Sequence, residues 1–221
     1  MEYDLSLIMN SLPLLIRGAG VTLEITALAV GLGLVFGLIA ALAQLSKFAP
    51  LKWIAKIYVD FIRGTPLLVQ IFIIYFALPA LLGQRIDPFV AAVAACSINS
   101  GAYIAEIFRA GIQSIEIGQM RAGLSLGMNW NQTMRYIIVP QAFKRVIPQL
   151  GNEFIALLKD SSLVSVIGFE ELTRRGQLII AKTYASVEIW TCVAIIYLIM
   201  TLSISRFVAY LEWRFKTDDK H

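Results

Sequence analysis

Long apolar runs alternate with polar stretches along this chain, and the runs have the length of membrane crossings. From Val21 to Leu45 the residues are almost continuously apolar. At 1.5 Å of rise per residue, such a run crosses about 30 Å of hydrocarbon. Within it Gly33, Gly37 and Ala41 recur every four positions, a small-residue stripe that lets another helix approach closely. Residues 5–17 mix apolar and polar positions around Pro13 and predict a separate, short interfacial helix. Further spans are expected over about 57–82, 88–110, 146–169 and 187–211, with a polar block over 113–145 and a charged loop from Glu170 to Lys182. The expected fold is all-α: a short N-terminal helix and five transmembrane helices in a single transmembrane domain covering residues 1–221.

Composition agrees with a membrane protein. Of the 221 residues, 58% are hydrophobic and 15% charged, against about 25% charged in soluble domains. The net charge of +4 fits basic residues beside membrane spans and gives no reason to invoke nucleic acid. Cys96 and Cys192 sit inside apolar runs, where cysteine packs as a small hydrophobe; neither a disulfide framework nor a metal site is indicated. The single histidine is His221, so histidine chemistry is not expected. The opening "MEYDLS" is acidic and does not read as a signal peptide.

Lysine and arginine set the orientation. Lys47, Lys52, Lys56, Arg121, Arg135, Lys144, Arg145, Arg214, Lys216 and Lys220 fall on one side; Arg17, Arg85, Arg174, Arg175 and Lys182 fall on the other. The richer side is expected in the cytoplasm. That places the polar block and the C-terminus inside and the N-terminus outside.

Three stretches put polar groups at membrane depth. Glu153 and Asp160 in the fourth span are seven residues apart and so share a helix face, with Leu157 between them. Facing lipid, each would cost about 2.5–3.5 kcal/mol. Two readings stand: a substrate-facing pair, or a structural cluster with Lys159 close to the interface. In "FIRGTPLLVQ", Pro66 has no N–H to donate, so the carbonyl of Ile62 loses its helical partner. Non-helical backbone at that depth is tolerated where it is buried in protein or lines a cavity. Thr65, Leu67 and Gln70 are therefore candidate solute contacts; a plain proline kink is the alternative. "SINSGAY" adds Ser97 and Asn99, either bridging helices or binding solute. Ser97 and Gly101 lie on one face and Asn99 and Tyr103 on another, so the cavity side stays open. Glu106 and Arg109, three apart, can pair on the helix surface.

The polar block reads as helical content broken at Gly118, Gly127 and Pro140. It displays Leu124, Leu126, Met128 and Trp130. Exposed apolar residues with methionine among them suggest docking; a loop folded back on the membrane is the alternative. The block resembles the EAA cytoplasmic loop of ABC-importer permeases: Glu-Ala-Ala, three residues, Gly, nine residues, Ile, one residue, Leu-Pro. Here Arg121-Ala122-Gly123, Gly127, Ile137 and Val139-Pro140 keep the spacing. Arg121 stands for the Glu, Gly123 for an Ala and Val139 for the Leu. "VTLEIT", "RGTPLLVQ", "NSGAYIAEIFRAGI" and "PQLGNEFIALLKDSSL" resemble motifs of the polar amino-acid branch, in order along almost the whole chain.

The resemblance implies the type I ABC-importer permease fold, a transport subunit rather than an enzyme. It implies pairing with a second copy or a paralogue, and an external solute-binding protein. Arg121, Ala122, Gly123, Leu126, Gly127 and Met128 would dock a helix of this loop onto an ATP-binding subunit. The chain has no Gly-Lys dipeptide and hence no GxxxxGK[ST] phosphate loop. No cofactor is expected on this chain, and ATP and Mg would be bound by the partner dimer. The paired carboxylates favour arginine, lysine or histidine as cargo; glutamine, glutamate or another small polar solute is the alternative. A membrane sensor or scaffold is the reading from another class.

Overall fold

The computed structural model describes residues 5–215. Lys216, Lys220 and His221, and the first residues of the "MEYDLS" stretch, lie outside them. The described chain is helical throughout. Its α-helices are α1 (Leu5–Leu45), α2 (Ala49–Arg63), α3 (Leu67–Phe72), α4 (Leu78–Leu82), α5 (Pro88–Gln113), α6 (Ile117–Ser125), α7 (Trp130–Thr133), α8 (Val139–Asp160), α9 (Leu172–Thr183) and α10 (Ser186–Phe215). A 3₁₀ stretch, Ser161–Ile167, extends α8. π-helical turns over Ile73–Ala77 and Met134–Ile138 join α3 to α4 and α7 to α8.

Both π turns sit immediately upstream of a proline, Pro79 or Pro140. A proline ring crowds the carbonyl four residues back, and widening the helix by one residue relieves it. The N–H of Leu78 accordingly reaches Ile73 O, and that of Val139 reaches Met134 O. The chain therefore passes through Pro140 without breaking. Gly118 does not break the block either, since it lies inside α6; the interruption falls at 114–116 instead.

α1, α5 and α10 are long and apolar enough to cross a membrane, and the α2–α4 pair makes a fourth crossing if it is taken as one bent span. The stretch 146–169 expected as a further crossing falls on α8, which begins at Val139, ends at Asp160 and carries Lys144, Arg145, Glu153, Lys159 and Asp160; α8 is not among the helices long and apolar enough to cross. The most extensive packing is α1 against α5, along the small-residue stripe. A Cβ built on Gly37 would stand 2.6 Å from Ile104 Cγ2, and one on Gly33 would stand 3.2 Å from Ser100 Cβ. The main core adds Leu67 and Ile71 of α3, Leu157 of α8, and Val164 and Ile167 of the 3₁₀ stretch.

Two expectations are corrected. The separate N-terminal helix over 5–17 does not exist: Pro13 lies inside the unbroken α1. Pro13 and Met9, whose carbonyl loses its partner, both face outward, while Leu15 and Ala19 bury themselves against α9 and α10. Packing carries the helix through the proline. The loop expected from Glu170 to Lys182 is in fact α9. Leu172, Gly176 and Ile179 form its buried stripe, and Glu171 caps it through Thr173 N and Arg174 N.

Candidate functional site

The 105° bend between α2 and the α3–α4 segment begins at Gly64. Pro66 takes extended backbone, φ −65° and ψ 139°, and the freed groups need partners. Gln70 supplies them. Its Nε2 donates to Ile62 O at 2.8 Å, and to Thr65 O and Thr65 Oγ1 at 3.0 Å each. Its Oε1 accepts from Asn99 Nδ2 at 2.9 Å. Gln70 is 4% exposed and its amide is fully committed: it holds the break shut from behind.

In front of the break lies a cavity of about 240 Å³. Thr65, Pro66 and Leu67 of the break form one wall, Asn99 and Tyr103 of α5 a second, and Glu153, Ala156, Leu157 and Asp160 of α8 the third. Five of the seven solute candidates read from the sequence meet here: Thr65, Leu67, Asn99, Glu153 and Asp160. Ser97 does not. Its hydroxyl donates to Val93 O at 2.6 Å within α5. The face left open in the sequence is thereby assigned, because Gly101 turns toward Phe36 and Gly33 of α1 while Asn99 and Tyr103 turn to the cavity. Among the described residues, no basic side chain stands within 4 Å of Glu153 or Asp160, so Lys159 forms no ion pair with either. Pro66, Tyr103, Ala156 and Leu157 complete the lining without having been candidates; the signal for the last three was the three-to-four-residue spacing from Asn99 and from Glu153, and for Pro66 the break itself.

A second cavity, about 440 Å³, adjoins the first toward α6. Arg63, Tyr103, Glu106, Ser114, Arg145 and Gln149 are among its lining residues. Arg109 Nε donates to Glu106 at 2.9 Å, which confirms the expected pair. Arg63 approaches the same carboxylate at 4.0 Å. Arg145 Nη1 donates to Ser114 O at 2.6 Å, pinning the polar block to α8.

Within the block, α6 ends at Ser125, and Gly127 turns the chain at φ +82°, a backbone conformation that glycine adopts without a Cβ penalty. Asn129 then starts α7 with a capping box closed by Gln132. Arg121, Ala122 and Leu126 are exposed, Leu126 at 81%, and Met128 is half-buried. Gly123 faces inward: a Cβ there would stand 2.5 Å from Thr133 Cγ2. It therefore shapes the loop rather than presenting a surface.

Residues 33–217 match the family of binding-protein-dependent transport system inner membrane components. The chain belongs to that family. It is 48% identical over 217 residues to the glutamine transport system permease protein GlnP of Escherichia coli K12, covering 98% of this chain and 99% of GlnP. It is 39% identical over 219 residues to the arginine transport system permease protein ArtQ of Bacillus subtilis, covering 99% and 100%. A crystal structure of an amino acid ABC transporter with histidines superposes with a TM-score of 0.93 at 46% identity, over 97% of this chain and 100% of that one. A methionine ABC transporter captured facing inward shares the fold, with a TM-score of 0.78 at 19% identity, over 92% and 97%. The protein is thus a multi-pass membrane permease of the type I ABC-importer fold, a transport component whose ATPase is a separate subunit.

Proposed function

We propose that this permease carries basic amino acids, with the 240 Å³ cavity as the solute site in each protomer. The observation that supports this is the pair of carboxylates, Glu153 and Asp160, on one wall with no described basic side chain within 4 Å of either. A guanidinium or ammonium side chain would pair with these carboxylates, while Thr65 and Asn99 offer polar contacts. In this reading the α6–α7 end faces the cytoplasm and the N-terminus faces out, as the arrangement of lysine and arginine favours. Two such permeases, identical or paralogous, would stand on a dimer of ATP-binding subunits that hold ATP and Mg. An external solute-binding protein would deliver the cargo. ATP-driven closure of the motor would push the loops through Ala122, Leu126 and Met128 and rock the helices between outward and inward access.

A second cargo is favoured by one specific observation. The glutamine permease is 48% identical, and an uncharged amide would also find partners in Thr65 and Asn99. Uptake by the reconstituted complex of permease, ATPase and binding protein separates the two. Glu153→Gln and Asp160→Asn should each weaken arginine affinity about 10-fold or more, the equivalent of 1.4 kcal/mol. Unchanged arginine affinity in both variants would sink the basic-cargo reading, and glutamine uptake that survives both would install the second.

Arg121 is exposed where the loop pattern carries glutamate, and we infer a charge-reversed contact with the motor there. An Arg121→Glu complex that assembles and transports as before would remove that contact.

A further inference from the structure

Two helix faces run side by side from α6 to the candidate solute cavity. On α8, Gln149, Glu153 and Asp160 recur at helical spacing; on α5, Asn99, Tyr103 and Glu106 do the same. They line two cavities of about 240 Å³ and 440 Å³ in succession. Tyr103 is the one described residue that lines both. It is therefore the residue at which the two cavities meet.

That ring is held from the second cavity. The Arg63 guanidinium stands over it, 5.4 Å from the centroid, and approaches Glu106 at 4.0 Å. Glu106 lies one turn beyond Tyr103 on the same helix and also takes Arg109. Arg63 is the last residue of α2, two positions before Thr65 in the wall of the first cavity. Displacement of the break at Gly64–Pro66 therefore moves Arg63 with it.

These contacts differ in kind from those of Gln70. The Arg63 side chain is 41% exposed, and exposed ion pairs and cation–π contacts contribute little each. They are exchangeable without unfolding anything, as a moving part requires. The buried, fully bonded Gln70 amide is not.

We propose that Tyr103, held by Arg63 and Glu106, is the inner gate of the solute cavity. Closed, its ring separates the solute from the second cavity. When α2 shifts at the break, Arg63 leaves the ring, Tyr103 turns aside, and the two cavities join. The assignment of the first cavity as the solute site rests on the function proposed above; the lining of both cavities by Tyr103 does not.

The test is thiol labelling of the assembled permease–ATPase complex at rest without ATP. Cys96 and Cys192 are replaced by alanine, and a single thiol is introduced by Ala156→Cys in the first cavity or by Gln149→Cys in the second. A membrane-impermeant maleimide is presented from one side, in inverted or right-side-out vesicles. With Tyr103 intact, Ala156→Cys should label at least 10-fold more slowly than Gln149→Cys from the side on which α6 lies. Adding Tyr103→Ala should bring the two rates together, Arg63→Gln should raise the slow one several-fold, and Tyr103→Phe should leave it slow. Equal rates with Tyr103 intact, or a slow rate unmoved by both Tyr103→Ala and Arg63→Gln, would overturn the gate. If Tyr103→Ala fails to assemble, the Arg63→Gln rate decides alone. Protection of Ala156→Cys by saturating arginine or glutamine reports separately on the solute site. Loss of protection with the gate effect intact would remove the solute assignment and keep the gate.

Discussion

Asn99 and Gln70 are joined across the bend, Asn99 Nδ2 donating to Gln70 Oε1 at 2.9 Å while the other end of the same amide closes the broken turn onto Ile62 and Thr65. One side chain thus satisfies the backbone that Pro66 leaves open and ties it to α5. This relation separates support from site: Gln70 stands behind the wall, Asn99 within it.

Removing that amide should be felt mainly in stability. Gln70→Ala takes a donor from Ile62 O and Thr65 O and the acceptor from the Asn99 amide, at about 1–3 kcal/mol for each group thereby left unsatisfied out of reach of water. The melting temperature of the purified complex should fall clearly, and more than for Ser97→Ala, whose hydroxyl bonds only within its own helix. Equal effects of the two changes would contradict the role given to Gln70.

The α1–α5 contact makes a paired prediction. Gly37→Ala drives a methyl into Ile104 and to 2.9 Å from Gly101 O, and should cost about 1–3 kcal/mol as overpacking does. Gly31→Ala, six residues away on the same helix with nothing within 4 Å of its added Cβ, should be neutral or stabilising by up to about 1 kcal/mol, since alanine favours helix. Thermal unfolding of both variants checks it; similar losses would mean that the stripe does not govern the approach.

Much of this was legible in the sequence where the cause is covalent or arithmetic. Pro66 lacks its donor in any fold, so the break was readable. Glu153 and Asp160 share a face on any α-helix, and Gly33 and Gly37 announce a close approach without naming α5. What needed the structure was rotation and partnership. Nothing local tells whether Ser97 or Asn99 turns to the cavity, because that depends on which face of α5 the α1 stripe captures. α9 reads as a loop in the sequence because Arg174, Arg175 and Lys182 mask a three-residue apolar stripe that only α1 and α10 make worth burying. Pro13 reads as a boundary because its local cost is real, and the partners of Leu15 and Ala19 whose packing outweighs it lie about 140–185 residues away in sequence.

Glu171 gives a pH prediction. It is fully buried and accepts from Thr173 N at 2.8 Å, Arg174 N at 2.7 Å and the Tyr197 hydroxyl at 3.1 Å. Burial pushes its carboxyl above the usual range, although those donors pull the other way. A raised native value means that the fold favours the protonated form. The residue's contribution is therefore fully present below the ordinary glutamate value of about 4.3 and is lost as pH rises through the native one. In melting temperature against pH, Glu171→Gln should lose that decline and run flatter than the parent. A slope identical to the parent's would show that Glu171 does not titrate differently in the fold.

The coupling loop offers the sharpest pairwise test, because the sequence departs there from the pattern it resembles. The pattern has alanine where this chain has Gly123. The departure has a local cause: an alanine methyl would stand 2.5 Å from Thr133 Cγ2 and 2.8 Å from its Oγ1. Thr133 is itself fully buried, and its hydroxyl donates to Asn129 O at 3.1 Å. Restoring the pattern with Gly123→Ala should therefore damage the loop, lowering co-purification with the ATPase and transport-coupled ATP hydrolysis. Thr133→Ala alone removes one hydrogen bond, at about 0.5–1.5 kcal/mol, and should be mild. The double variant should recover most of what Gly123→Ala loses, since the second change vacates the space the first one needs. Contacting residues show such coupling of about 0.5–3 kcal/mol in a double-mutant cycle. Additive losses would place the reason for Gly123 outside this contact, with Ile137 Cδ1, 3.1 Å from the built Cβ, the next group to vary.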